Sequence, residues 1–175
     1  ATSKLSRDHH IVRSSSGLIT ITGGKWTTYR KMGEDAISAA AHAAQLRAKP
    51  SDTLNLKLHG WTEQIPTGHE SVYGSDLPQL QAISEGDPGL NSLLHPALPY
   101  RKREVVWAAR REHARTTEDV LARRTRALFL NASAAIESAP EVSRLLAREH
   151  GRDEQRRARD LENFLRIANA YKFSA

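Results

Sequence analysis

The chain has 175 residues, enough to bury a core and to make one domain or slightly more. It has no cysteine, which excludes disulfides, thiolate zinc sites and a cysteine nucleophile. The net charge of +6 divides as +5 over residues 1–50, −5 over 51–100 and +6 over 101–175, and the last segment interleaves base with acid, which argues against a nucleic-acid partner. Residues 1–10 are polar and carry no signal-peptide core. No apolar run approaches the ~20 residues of a membrane span, so a soluble, cytoplasmic, globular protein is expected.

His9-His10-Ile11-Val12 and Leu18-Ile19-Thr20-Ile21-Thr22 are rich in β-branched residues and flank the turn cluster Ser14-Ser15-Ser16-Gly17, which predicts a β-hairpin. Gly23-Gly24 stops the second strand. Helical spacing of Met32, Ala36, Ala39, Ala40 and Ala43 predicts a helix from Trp26 to about Leu46. This strand–turn–strand–diglycine–helix piece has too little apolar surface to fold alone and reads as the end of a larger domain, over 1–46. Residues 47–99 hold six of the seven prolines and read as a linker or clasp, with a candidate edge strand over 54–58 and a short helix over 76–84.

Residues 100–175 are expected to form a small helical bundle, so the fold class is mainly α. Helices are predicted over 103–114 and 117–129. Ser138-Ala139-Pro140-Glu141 has the pattern of a capping box with proline in the first turn, which predicts a helix starting at Ser138 and ending at Gly151. Asp153 should cap a last helix with an apolar stripe of Leu161, Phe164, Leu165, Ala168 and Tyr171. Trp107, Phe129 and Phe164 are read as core.

The diglycine junction is the main candidate site. Glycines let a backbone approach a ligand closely, and a helix start presents free N–H groups and positive partial charge. Lys25 opposes that dipole, which suggests an anionic or electron-rich ligand. Counting the hairpin antiparallel from a turn at 14–16 sets Arg7 opposite Gly23, so that Arg7 and Lys25 converge on a phosphorylated ligand.

Ser6-Arg7-Asp8-His9, the run from Ser16-Gly17 through Thr22-Gly23-Gly24-Lys25-Trp26-Thr27-Thr28-Tyr29-Arg30 to Met32, and Arg111-Glu112-His113-Ala114-Arg115-Thr116 followed by Glu118 to Arg126 resemble the FAD-dependent glycerol-3-phosphate dehydrogenases over nearly the whole chain. The resemblance implies that the hairpin and its helix are left over from an α/β FAD-binding domain and that residues 100–175 are the carboxy-terminal helical domain. It implies that Gly23, Gly24 and Lys25 border the flavin, with Thr27 and Thr28 at its edge, and that Arg7 and Lys25 hold the phosphate of glycerol 3-phosphate. The implied reaction is oxidation of that substrate to dihydroxyacetone phosphate, hydride passing to FAD and electrons to a membrane quinone, with peripheral contact at the inner face of the membrane. The family's G-x-G-x-x-G motif is absent here, so the isolated chain is expected neither to hold FAD tightly nor to turn over.

No catalytic residue is assigned within the chain. No metal site is expected, since His9 and His10 alternate across a strand and His113 and His150 lack a second ligand at i+4. Glu112, Glu118 and Asp119 with Arg123 and Arg124 are read as partly buried ion pairs between helices. Arg156, Arg157 and Arg159 are read as a solvated face in preference to a contact with anionic lipid. The other function carried forward is a basic helical module that binds nucleic acid or a protein partner.

Overall fold

The computed structural model describes residues 8–47 and 49–172. They fall into two compact units, one up to residue 58 and the other from residue 59 onward. In the first, strands β1 (His9–Arg13) and β2 (Ile19–Gly23) pair antiparallel, and a 3-10 turn at Trp26–Thr28 leads into α1 (Tyr29–Ala43).

The register differs from the expected one. His9, not Arg7, is opposite Gly23, and Arg13 faces Ile19. The cause is the length of the turn. The connection runs over 14–18 and closes with Ser14 N–H donating to the Leu18 carbonyl at 2.9 Å and Gly17 N–H to the Ser14 carbonyl at 3.0 Å, while Gly17 takes φ +90°. A longer loop shifts the pairing by two residues. Arg7 itself lies outside the described residues. The predicted edge strand over 54–58 also does not form. Its start is a 3-10 turn at Thr53–Asn55, held to α1 by Arg30, which donates to the Thr53 hydroxyl at 3.1 Å.

No described residue of the first unit is fully buried. Val12, Leu18, Trp26, Ile37 and Leu54 are exposed. The alternating leucines at 54, 56 and 58 line a groove of about 640 Å³ against Tyr29 and Ile37 of α1.

The second unit holds all the fully buried hydrophobic residues described. It is built from α2 (Leu77–Gly86), α3 (Lys102–Arg111), a π-helical segment at Asp119–Arg124, α4 (Ala127–Leu130), α5 (Ala132–His150) and α6 (Glu154–Asn169). Val105 and Val106 of α3, Leu145 and Leu146 of α5 and Phe164 of α6 share one core.

Four local expectations are corrected in this unit. The helix predicted over 117–129 breaks at Arg126, which has φ +59°. Before the break the backbone widens, and Thr125 donates both its N–H and its hydroxyl to the Val120 carbonyl at 2.9 Å. This turns Phe129 outward, so it is 56% exposed and meets Tyr171 edge-on instead of entering the core. Tyr171, expected in the α6 stripe, lies beyond the helix end and is also exposed. Finally, α5 starts at Ala132 instead of Ser138. Asn131 caps it, accepting from Ala134 N–H at 3.0 Å. Pro140 is therefore inside the helix, and Ser138 is buried with its hydroxyl donating to the Ala134 carbonyl at 2.7 Å. At the other end Gly151 takes φ +61°, and Asp153 caps α6 by accepting from Arg156 N–H at 2.8 Å, both as expected.

Two measurements check this account. Asn131→Ala should lower unfolding stability by about 1 kcal/mol in urea titrations, while Ser138→Ala should stay within about 0.5 kcal/mol of wild type, because Ser138 is not a cap. Glu141 accepts from Arg144 at 2.7 Å and pairs with Lys102 of α3 at 2.9 Å. These cations, Arg144 foremost, pull its carboxyl down to about 2. A lowered carboxylate stabilises the fold above its unfolded value of 4.5 and loses that contribution as pH falls through about 2. Glu141→Gln should therefore cost on the order of 1 kcal/mol at neutral pH and nothing at the acid end of a pH series of denaturation curves.

Candidate functional site

The junction between β2 and α1 is shaped first by its own packing. Gly23 has φ +79°, and a Cβ there would lie 2.9 Å from the Asp8 carbonyl oxygen. Gly24 has φ +81°, and its Cβ would lie 2.5 Å from Sδ of Met32. The chain's own fold therefore requires both glycines. Met32 fills the space over Gly24 from the first turn of α1.

Lys25 follows in an extended conformation, φ −135°. Its N–H donates to the Thr28 hydroxyl at 3.1 Å, and that hydroxyl donates to the Lys25 carbonyl at 3.0 Å. The Thr28 hydroxyl is thus spent inside the turn. The Thr27 hydroxyl and the N–H groups of Trp26 and Thr27 have no acceptor or donor among the described residues. The Lys25 ammonium is exposed, and no described residue pairs with it. Trp26 is 87% exposed. Two orphan N–H donors, a hydroxyl and a cation thus share one solvent-facing helix start, an arrangement suited to an anionic or electron-rich edge.

Behind this edge the charges are already committed. His9 meets Asp35 at 3.0 Å, Lys31 donates to Asp35 at 2.7 Å, and Arg30 pairs with Glu34. Lys31, then His9, hold the Asp35 carboxyl below the usual carboxylate range. Lys25, Gly23, Gly24, Thr27 and Thr28 are adjacent in space as in sequence.

In the second unit a buried charged cluster escaped the sequence reading. Glu104, 2% exposed, accepts the Arg101 N–H, the Tyr73 hydroxyl at 3.1 Å and a contact from His69 at 3.3 Å. Arg103, 7% exposed, donates to Glu70 and to Asn91. The side-chain ligand atoms of His69, Glu70 and Glu104 lie within 4.8 Å of one another. The Arg103 guanidinium already supplies positive charge there, which disfavours a metal ion. The helical phase of Arg103 with Val106 and Trp107 was the available signal that this charged pair faces inward. Glu112 and Arg124 do form the expected interhelical contact, at 3.8 Å, and Arg123 pairs with Glu118 and Asp119. Burial, with Glu104 and Asp76 nearby, pushes the Glu112 carboxyl up. The Ala114 carbonyl meets Nε2 of His150 at 2.9 Å, which brings that histidine beside the segment that holds His113.

Comparison with known proteins gives the family. Residues 18–157 match the family described as the C-terminal domain of alpha-glycerophosphate oxidase. The chain belongs to that family. It is 38% identical to glycerol-3-phosphate dehydrogenase, mitochondrial, of Bos taurus, over 98% of this chain and 27% of that protein. It is 32% identical to glycerol-3-phosphate dehydrogenase SDP6, mitochondrial, of Arabidopsis thaliana, over 99% of this chain and 33% of that protein. A probable mitochondrial glycerol-3-phosphate dehydrogenase of Caenorhabditis elegans is 37% identical over 86% of this chain and 24% of its own length. The chain thus spans a quarter to a third of the length of these relatives.

The junction geometry predicts an order of damage. Gly23→Ala meets backbone, which cannot move aside, whereas Gly24→Ala meets the flexible end of Met32. Each carries about 1–2 kcal/mol for the left-handed backbone, and Gly23→Ala should cost more. Amide hydrogen exchange in α1 reads the difference, and Lys25→Ala should leave that exchange unchanged.

Proposed function

We propose that the whole protein oxidises sn-glycerol 3-phosphate to dihydroxyacetone phosphate, with hydride passing to FAD and electrons leaving to a membrane quinone. The observation that carries this reading is the open helix start at Lys25, whose free donors and unpaired ammonium face solvent. Bound FAD supplies the hydride acceptor. The residues here fit a flavin edge. The Trp26 and Thr27 N–H groups and the helix dipole favour the negative charge that a reduced isoalloxazine gathers at its pyrimidine end. Gly23 and Gly24 keep the backbone low beside it. Lys25 binds the substrate phosphate as a point charge, and Arg7 adds a planar fork to the same phosphate. Thr27 offers its hydroxyl at the cofactor edge, while Thr28 acts through its turn.

No described residue of the first unit is buried, which supports a role as one wall of a larger flavin domain. The isolated chain is accordingly inactive and does not retain FAD. The enzyme works in the cytoplasm as a peripheral protein on the inner face of the membrane, where a quinone is within reach. No described helix is long and apolar enough to cross a membrane.

The test uses the complete reading frame. Its flavin band should bleach when glycerol 3-phosphate is added without oxygen. Lys25→Ala should slow bleaching at low substrate and raise the substrate concentration needed, with the flavin band retained. The 175-residue chain purified alone should show no stoichiometric flavin. A full-length protein without a flavin band would overturn the proposal.

A further inference from the structure

Two consecutive glycines in the left-handed region precede Lys25, with φ +79° at Gly23 and +81° at Gly24. Glycine does not hold such a conformation by itself, because it takes others as readily. The direction in which Lys25 leaves the hairpin therefore depends on what packs around the pair.

Two side chains do so. A Cβ on Gly24 would lie 2.5 Å from Sδ of Met32 and 3.4 Å from Cβ of His9, so both residues flank that backbone. His9, the first residue of β1, also faces Gly23 across the hairpin. Met32 and Asp35 are three residues apart in α1 and share a face. Asp35 meets Nε2 of His9 at 3.0 Å, with side chains 31% and 16% exposed. One bond thus joins the strand that flanks the glycines to the helix that flanks them.

The bond has a defined direction. Lys31 donates to Asp35 at 2.7 Å and holds its carboxyl below the usual carboxylate range. An ionised carboxylate only accepts, so Nε2 of His9 carries the proton between them. From the helix side, the Thr28 hydroxyl fixes the Lys25 backbone. A second tie between the same hairpin and helix lies four residues along β1, where Arg13 reaches the Ala43 carbonyl at 3.5 Å.

We propose that His9, oriented by Asp35, is a positioning residue that clamps the Gly23-Gly24 bend and so aims the Lys25 ammonium at the substrate phosphate, a role that rests on the reading of Lys25 as the phosphate ligand. His9 is not placed at the reacting atoms, since its Nε2 is committed to Asp35. Its effect falls on binding, because a misaimed cation loses most of a charge-assisted contact.

The test uses the complete reading frame and anaerobic flavin bleaching by glycerol 3-phosphate. His9→Ala should raise the half-saturating substrate concentration about tenfold and lower the rate at saturation less than about twofold. Competition by inorganic phosphate should weaken by the same factor. Asp35→Ala should act likewise, and the two together no more than either alone. His9→Gln, whose amide N–H extends to the position of Nε2, should recover most of the affinity. In a Lys25→Ala background, His9→Ala should change the half-saturating concentration less than about twofold, because the group it aims is gone. Arg13→Ala loosens the hairpin at its far end and should also change it less than about twofold. An undiminished effect in the Lys25→Ala background, an equal effect of Arg13→Ala, or loss of the flavin band in both His9→Ala and Asp35→Ala would overturn the inference and leave the flavoenzyme reading standing. A wild-type protein without a flavin band would overturn that reading and the inference with it.

Discussion

The second unit depends on the buried pair Arg103 and Glu104. Neighbouring residues at the start of α3, they reach in different directions, Arg103 to Glu70 and Asn91 and Glu104 to Tyr73, His69 and the Arg101 N–H. Every group they touch lies between residues 69 and 101. That stretch is made of short 3-10 turns and α2, with little periodic hydrophobic pattern to fix it. Apolar packing is non-directional and would leave such a segment several ways to lie against α3. Hydrogen bonds with direction select one. Buried charges cost desolvation, so their return here is geometric, and the cost is offset by these directed hydrogen bonds, with Nε of Arg103 left buried without a partner.

The first unit solves the opposite problem. It has local order, with a paired hairpin, a capped turn and a helix tied back through His9 and Asp35, yet it has no described buried residue. A two-stranded hairpin is marginal in water by itself, and no described residue is buried between this one and its helix. Val12, Ile21 and Ile37 are exposed in it. The two units therefore differ in kind, one with a buried apolar core and one with no described residue buried.

The sequence made the element types legible where one local rule decided them. Gly151, Asp153 and the helix between Trp26 and Ala43 follow from caps and periodicity alone. It misled where two local signals competed. Ser138-Ala139-Pro140-Glu141 satisfies the capping pattern, but Asn131 lies seven residues earlier and captures the helix first, after which Pro140 is tolerated within it. The hairpin register was missed for a different reason. Four turn-forming residues in a row do not say how many enter the loop, and each added residue moves the partner of Gly23. Phe129 was misplaced because a left-handed residue at Arg126 rotates the helix beyond it, and arginine gives no sign of that conformation in advance.

Charge was the least legible property. Arg144 and Arg156 look alike in a string of alternating acid and base. The structure separates them, since Glu141 lies one turn before Arg144, while the acids around Arg156 are held by backbone N–H groups, a threonine and Arg157. The same distinction applies at the Lys25 junction. Its glycines are accounted for by Asp8 and Met32, so they say little about a ligand by themselves. What does speak for one is the remainder left after all internal partners are assigned: two N–H groups, the Thr27 hydroxyl and one ammonium on a single exposed edge. A motif can be required by folding alone, as these glycines are, and every helix start leaves N–H groups open to solvent, so what distinguishes this edge is the exposed ammonium and hydroxyl beside them.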